Sequence, residues 1–137
     1  MNSQPETNGP IRILVADDSL LIRTLLQETL LEAGFYVVLA KEGVEAWELL
    51  QIEPIHLVMA DVNMPLLDGF ELTRMIRGDE HLKEIPVILM TAMDIYEDRR
   101  LGLISGATTF FIKDERNLAL LPDRIIQLLQ GSSPGSH

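Results

Sequence analysis

The chain has no cysteine, which excludes disulfide scaffolds and cysteine-based zinc sites. Basic residues are scarce: 11 Lys and Arg stand against 21 Asp and Glu, for a net charge of −10. That balance argues against direct binding to nucleic acid or to an anionic membrane surface. No apolar run approaches the roughly 20 residues of a membrane span. The opening MNSQPETNGP lacks both the basic region and the apolar stretch of a signal peptide. It reads as a disordered lead-in over residues 1–10. The lack of thiols fits a reducing compartment, and the expected location is cytoplasmic.

What is present is enough for a core. The 137 residues are 47% hydrophobic and 23% charged, the proportions of one soluble globular domain, placed over residues 11–130. Apolar, β-branched runs predict strands at IRILVA (Ile11 to Ala16), Tyr36 to Ala40, LVMAD (Leu57 to Asp61), PVILMTA (Pro86 to Ala92) and ATTFFIK (Ala107 to Lys113). Helical spacing recurs between them. Ile22, Leu25, Leu26, Leu30 and Ala33 share one face, with Gly34 as a stop. Further helices are predicted at Val44 to Gln51, from Phe70 to Gly78, at Asp94 to Ser105, and at Asn117 to Gln130 with Pro122 near the first turn. Strict β/α alternation with continuous apolar strands means a parallel sheet covered on both faces. The fold class is therefore α/β: a doubly wound, five-stranded, flavodoxin-like sheet. The tail GSSPGSH, residues 131–137, reads as a flexible linker or a scar.

In such a sheet the ligand site lies outside the carboxyl ends of the strands. The first strand ends at Asp17 and Asp18, the third at Asp61, the fourth at Thr91 and Ala92, and the fifth at Lys113. Two carboxylates about 4 Å apart repel by ~4 kcal/mol at an effective dielectric of about 20. A cluster of Asp17, Asp18 and Asp61 therefore needs protons or a cation. Hard oxygen ligands on an open site suit Mg²⁺, with Mn²⁺ also acceptable. The Asn63 backbone carbonyl is a further candidate ligand. Lys113 offers a point charge to a phosphoryl oxygen and Thr91 a hydroxyl. Asp61 then reads as the nucleophile of a phosphoryl-transfer site. Taken singly, each feature has a plainer explanation: Asp18 or Ser19 as a helix cap, Lys113 facing solvent, Asp61 as a turn residue before Pro65. Their convergence at one rim favours the chemical reading. Trp47 and the methionines are assigned to packing.

The motifs VADDS (Val15 to Ser19), MADVNMPLLDG (Met59 to Gly69), IPVILMTA (Ile85 to Ala92) and GATTFFIKD (Gly106 to Asp114) stand in the order and spacing of one family. The chain resembles a receiver (CheY-like) domain of bacterial two-component response regulators from about Arg12 to Gln130. The resemblance implies that Asp61 accepts a phosphoryl group from a histidine kinase, a phosphotransfer protein or a small phosphodonor. It implies that Asp17, Asp18, Asp61 and the Asn63 carbonyl hold Mg²⁺. It further implies that Thr91 moves toward the phosphoryl group, that small Ala92 leaves room, and that Lys113 pairs with the phosphate. Phe110, three residues before the lysine, takes the place of the family's aromatic switch. Its turning would change the surface formed by the fourth helix, fifth strand and fifth helix, where a downstream effector or output domain is expected to bind. Without a tyrosine hydroxyl, burial alone would hold either rotamer. Activity beyond gain and loss of the phosphoryl group on Asp61 is not expected.

Two departures stand out. Asp114 replaces the proline that usually follows the lysine on a cis bond, so a trans link is expected, and Asp114 could compete for Lys113. The fifth helix, NLALLPDRIIQLLQ, carries only Arg124 as a basic residue, which does not support the basic dimerisation face of winged-helix regulators. Three other functions compete with this reading. A dehalogenase-like phosphatase needs an acid two residues beyond its nucleophile and a motif on the first strand, whereas Asn63 and the third strand stand here. A flavin binder needs a phosphate loop where the acidic ADDSLL lies. A receiver fold serving purely as an interaction module would leave Asp61 unphosphorylated. With no room for an output domain after the last helix, the chain is expected to be a stand-alone receiver or part of a larger protein.

Overall fold

The structure is a computed structural model and describes residues 9–130. The lead-in expected over residues 1–10 lies outside the described residues except for Gly9 and Pro10, and the tail at 131–137 lies outside them entirely. Five strands alternate with five helices: β1 (Arg12–Ala16), α1 (Leu20–Glu32), β2 (Tyr36–Ala40), α2 (Gly43–Ile52), β3 (Leu57–Asp61), α3 (Gly69–Arg77), β4 (Val87–Thr91), α4 (Tyr96–Ser105), β5 (Thr109–Ile112) and α5 (Glu115–Gln130). All strand pairs are parallel, in the order β2-β1-β3-β4-β5. This is the doubly wound arrangement that the alternation of segments predicts.

Side chains leave a strand on alternate faces, and the strands divide accordingly into two cores. Leu14, Val58, Leu89 and Phe110 pack with Ala46 and Leu50 of α2 and Leu72 and Ile76 of α3. Ile13, Met59, Met90 and Phe111 pack with Leu26 and Leu30 of α1 and Leu121 and Ile125 of α5. Trp47 packs against the first of these cores, as assigned. β3 and β4 are buried along their whole length, which explains why they read as unbroken apolar runs.

Helix termini follow local chemistry. Ser19 Oγ accepts the Ile22 N–H at the start of α1, and Asp68 and Glu71 form a capping box at α3. Gly106, in the left-handed region at φ 102°, ends α4. α2 and α3 begin one residue before the predicted start, and two helices begin two residues away from it. α4 starts at Tyr96 rather than Asp94, because Ile95 remains extended and the Asp94 carboxylate is bound by Arg99. α5 starts at Glu115, with Asp114 accepting the Asn117 N–H at 2.8 Å. That puts Pro122 in the helix interior rather than the first turn. There it deletes one backbone hydrogen bond, and burial of Leu121 and Ile125 on either side holds the helix together.

Candidate functional site

The strand order reverses its winding between β1 and β3, and a ligand crevice opens at such a reversal. Asp17 follows β1 directly and Asp61 ends β3. The register of Ala16 opposite Ala60 brings these two ends level. Asp17 is fully buried and Asp61 only 5% exposed, whereas Asp18 faces solvent. One carboxylate oxygen from each of Asp17, Asp18 and Asp61 lies within 4.8 Å of the others.

Lys113, one residue beyond β5, donates to Asp17 Oδ2 at 2.9 Å and to Asp61 Oδ1 at 2.6 Å. The remaining oxygens are also occupied: Asp17 Oδ1 accepts the Ser19 N–H at 2.9 Å and Asp61 Oδ2 the Asn63 N–H at 3.1 Å. Burial raises the Asp61 pKa above its ordinary value, and the Asp17 charge adds to this; the Lys113 hydrogen bond opposes both without cancelling them. Burial depresses Lys113, but its bonds to Asp61 and Asp17 outweigh that and leave its pKa raised. One ammonium thus faces two buried carboxylates plus the exposed Asp18. This excess of negative oxygen is the donor set that a hard divalent cation satisfies. The residues present therefore fit Mg²⁺ or Mn²⁺.

The other sequence candidates lie around this centre. Asn63 is exposed two residues past Asp61. Thr91 is buried, and its hydroxyl donates to the Met93 carbonyl at 3.0 Å and accepts the Met93 N–H at 3.4 Å. The hydroxyl is thus engaged by the turn after β4, and Ala92 beside it is exposed. Phe110 sits on the α3–α4 side of the sheet, buried beneath Gly102. The Arg99 guanidinium lies 5.7 Å from its ring centroid, so burial is not the ring's sole restraint as the sequence led us to expect.

One of the two Asp114 expectations is met and the other is corrected. The Lys113–Asp114 bond is trans, like every described peptide bond, but Asp114 does not compete for Lys113. Its side chain caps α5 through Asn117 and its carbonyl accepts the Leu118 N–H at 3.0 Å.

Sequence reasoning missed three contributors. Arg23, in the opening turns of α1, donates to the Asp17 backbone carbonyl at 2.7 Å; its signal was a cation near a helix N-terminus, where the dipole disfavours one. Gly102, which gives Phe110 its space, was visible as an isolated glycine in a helical pattern. Arg77 joins α3 to the α4–β5 turn through Gly106 and left no mark in the periodicity. Apolar side chains exposed in the segments that follow the carboxyl ends of these strands include Leu20 and Leu21 at the start of α1, Leu66 after β3, and Met93, Ile95 and Tyr96 after β4. Leu66 lies at φ 72°, a left-handed conformation that costs a leucine about 1–2 kcal/mol.

Residues 13–125 match the family profile of the response regulator receiver domain. The response regulator MprA of Mycobacterium sp. (strain KMS) is 39% identical over 127 residues, covering 91% of this chain and 53% of that protein. The chain thus spans about half the length of that relative. Among solved structures, chemotaxis protein CheY4 of Vibrio cholerae superposes with a TM-score of 0.80 at 30% identity, covering 88% of this chain and 99% of that one. The receiver domain of a sensor histidine kinase from Pseudomonas aeruginosa PAO1, solved with a magnesium ion coordinated in its active-site cleft, gives a TM-score of 0.79 at 28% identity, covering 90% of this chain and 99% of that one.

Proposed function

Because the chain belongs to the response regulator receiver family of two-component signalling, we propose that Asp61 is its phosphoacceptor, with Asp17, Asp18, Asp61 and the Asn63 carbonyl as the ligands of Mg²⁺. The observation that carries this reading is Lys113 lying 2.6 Å from Asp61 and 2.9 Å from Asp17 across the end of the sheet. In the transfer step an Asp61 oxygen attacks phosphorus of a phosphohistidine. The P–N bond breaks, the imidazole nitrogen keeps the bonding pair, and an acyl phosphate forms on Asp61. A divalent cation held by these carboxylates would supply charge neutralisation for the phosphoryl oxygens. Lys113, already aimed at Asp61, is placed to exchange its carboxylate partner for a phosphoryl oxygen. Water attack on phosphorus returns Asp61 and phosphate, and that self-hydrolysis is the only turnover assigned.

The Thr91 hydroxyl, held by Met93, is the element that the phosphoryl group would draw away. Ala92, small and exposed, leaves room for that movement. Released from Met93, the turn entering α4 can rearrange, and with it the Phe110 ring and the face made by α4, β5 and α5. The apolar rim of Leu20, Leu21, Leu66, Met93 and Tyr96 gives a protein phosphodonor a surface to dry while its phosphohistidine reaches Asp61. The donor is a histidine kinase or phosphotransfer protein, and the α4–β5–α5 face serves a downstream effector or output domain. Kinase phosphohistidine derives from ATP, which puts the reaction in the cytoplasm. The domain proper is assigned to residues 11–130.

Incubation with acetyl phosphate and Mg²⁺ tests the assignment by intact-protein mass spectrometry. The wild type should gain one phosphoryl group that is lost on hydroxylamine treatment, and D61N should gain none. A modified D61N protein, or an unmodified wild type under both acetyl phosphate and a phosphohistidine donor, overturns it.

A further inference from the structure

Every polar group of Asp17 is bonded to a described residue, its carbonyl to Arg23 among them. Asp17 N–H donates to the Ala40 carbonyl at 3.1 Å, and both its carboxylate oxygens are bonded, to Ser19 and Lys113. The exposed Asp18 carboxylate, by contrast, makes no hydrogen bond or ion pair with any described residue, yet it lies within the 4.8 Å cluster. With no such contact of its own, its place in the cluster depends on the backbone that carries it.

We propose that Arg23 is the positioning residue for Asp18, acting through the peptide plane between Asp17 and Asp18. Its Nη1 donates to the Asp17 carbonyl at 2.7 Å. That carbonyl and the Asp18 N–H belong to one planar unit. Anchoring the oxygen fixes the plane, and the plane fixes the Asp18 N and Cα from which the side chain leaves the backbone. Arg23 is half-buried and stands in the opening turns of α1, where its charge opposes the helix dipole. Local helix stability does not explain a cation there; the bond to the Asp17 carbonyl does.

The inference rests on the metal assignment made above, and it makes a prediction opposite in sign to simple electrostatics. A positive charge beside a cation site repels the cation, so deleting Arg23 as a mere charge would tighten Mg²⁺ binding. Deleting it as the support of a ligand turn would weaken binding, by roughly tenfold as for other groups that orient metal ligands.

The test is Mg²⁺ titration of the unphosphorylated protein, followed by the amide resonances of Asp18 and Asn63. R23M keeps the aliphatic stem but removes donor and charge, and R23K restores one donor and the charge. Thermal melting without Mg²⁺ verifies that both variants fold. R23M is expected to bind about tenfold more weakly than wild type, and R23K to recover most of the loss. R23M binding as tightly as wild type, or more tightly, overturns the proposal, as does an R23K defect equal to that of R23M. A wild-type protein that takes up no Mg²⁺ would overturn the metal assignment itself and this inference with it.

Discussion

The Phe110 ring lies so close under Gly102 that a methyl group on that glycine would sit 2.3 Å from Cε1 and 2.5 Å from Cζ. No real contact is that short, so the glycine is the reason the ring can occupy its site. The helix gives up intrinsic stability to admit an aromatic side chain, since glycine costs about 1 kcal/mol against alanine in a helix interior.

G102A should therefore show opposite effects in two backgrounds. In the wild type, overpacking against Phe110 costs about 1–3 kcal/mol, which exceeds the propensity gain and gives net destabilisation. Phe110→Leu removes both crowded ring atoms. In that background G102A should become neutral or stabilising, by up to about 1 kcal/mol. Urea midpoints at unchanged slope would measure the coupling. Additive effects would mean that the ring and the glycine are not in the relation described.

Asp61 gives a pH signature. Its folded-state pKa is raised above the ordinary 3.8, first by burial. Between that value and the raised one, the folded protein holds more protons than the unfolded one. Asp61 then contributes stability while protonated, and this is lost as pH rises through the folded pKa. D61N mimics the neutral form at every pH. In chelator, the two proteins should melt together below about pH 3.8, and D61N should melt higher at neutral pH. A lower melting temperature for D61N at neutral pH would mean that the Lys113 bond outweighs burial.

The residues that announce chemistry were legible because each ends an apolar strand on a polar group, and the sheet's buried interior leaves such a group only the rim to occupy. Asp17, Asp61, Thr91 and Lys113 were all placed by that logic. Hydrophobic periodicity also located every helix, but it could not set their first residues. α5 begins two residues earlier than its apolar pattern because Asp114 caps it, and α4 begins two residues later because Arg99 takes Asp94. The Arg23 and Arg77 contacts were hidden for a different reason. Both arginines bond main-chain carbonyls, and a carbonyl has no residue identity to read.

Arg77 is a case where this hidden chemistry should dominate stability. Its guanidinium donates to Gly106 O at 2.8 Å, Ile85 O at 2.7 Å, Lys83 O at 3.1 Å and Thr108 Oγ1 at 3.3 Å. Those acceptors belong to the turns entering β4 and β5, so one side chain ties both to the end of α3. R77M should cost about 3 kcal/mol, since bonds from a charged donor contribute ~1.5–3 kcal/mol each and part of this set is exposed. R77K should recover less than half of the loss, because one ammonium cannot span the four acceptors. A urea midpoint for R77M close to wild type would show that these bonds are exchanged for water without loss.

Asp114 separates a structural role from a chemical one. As a cap it should matter to α5: D114A removes the acceptor of the Asn117 N–H and should cost about 1 kcal/mol, with faster amide exchange at Asn117 in the first turn. As a rival for Lys113 it should instead matter to the acid site, and D114A would then speed phosphorylation of Asp61 by freeing the ammonium. Lys113 is already bonded to Asp17 and Asp61 while Asp114 faces the helix, so the rate with acetyl phosphate should stay within about twofold of wild type, a difference below 0.5 kcal/mol. D114N, which keeps an oxygen acceptor but no charge, should hold most of the cap and the same rate. An acceleration shared by D114A and D114N would return Asp114 to the role of competitor.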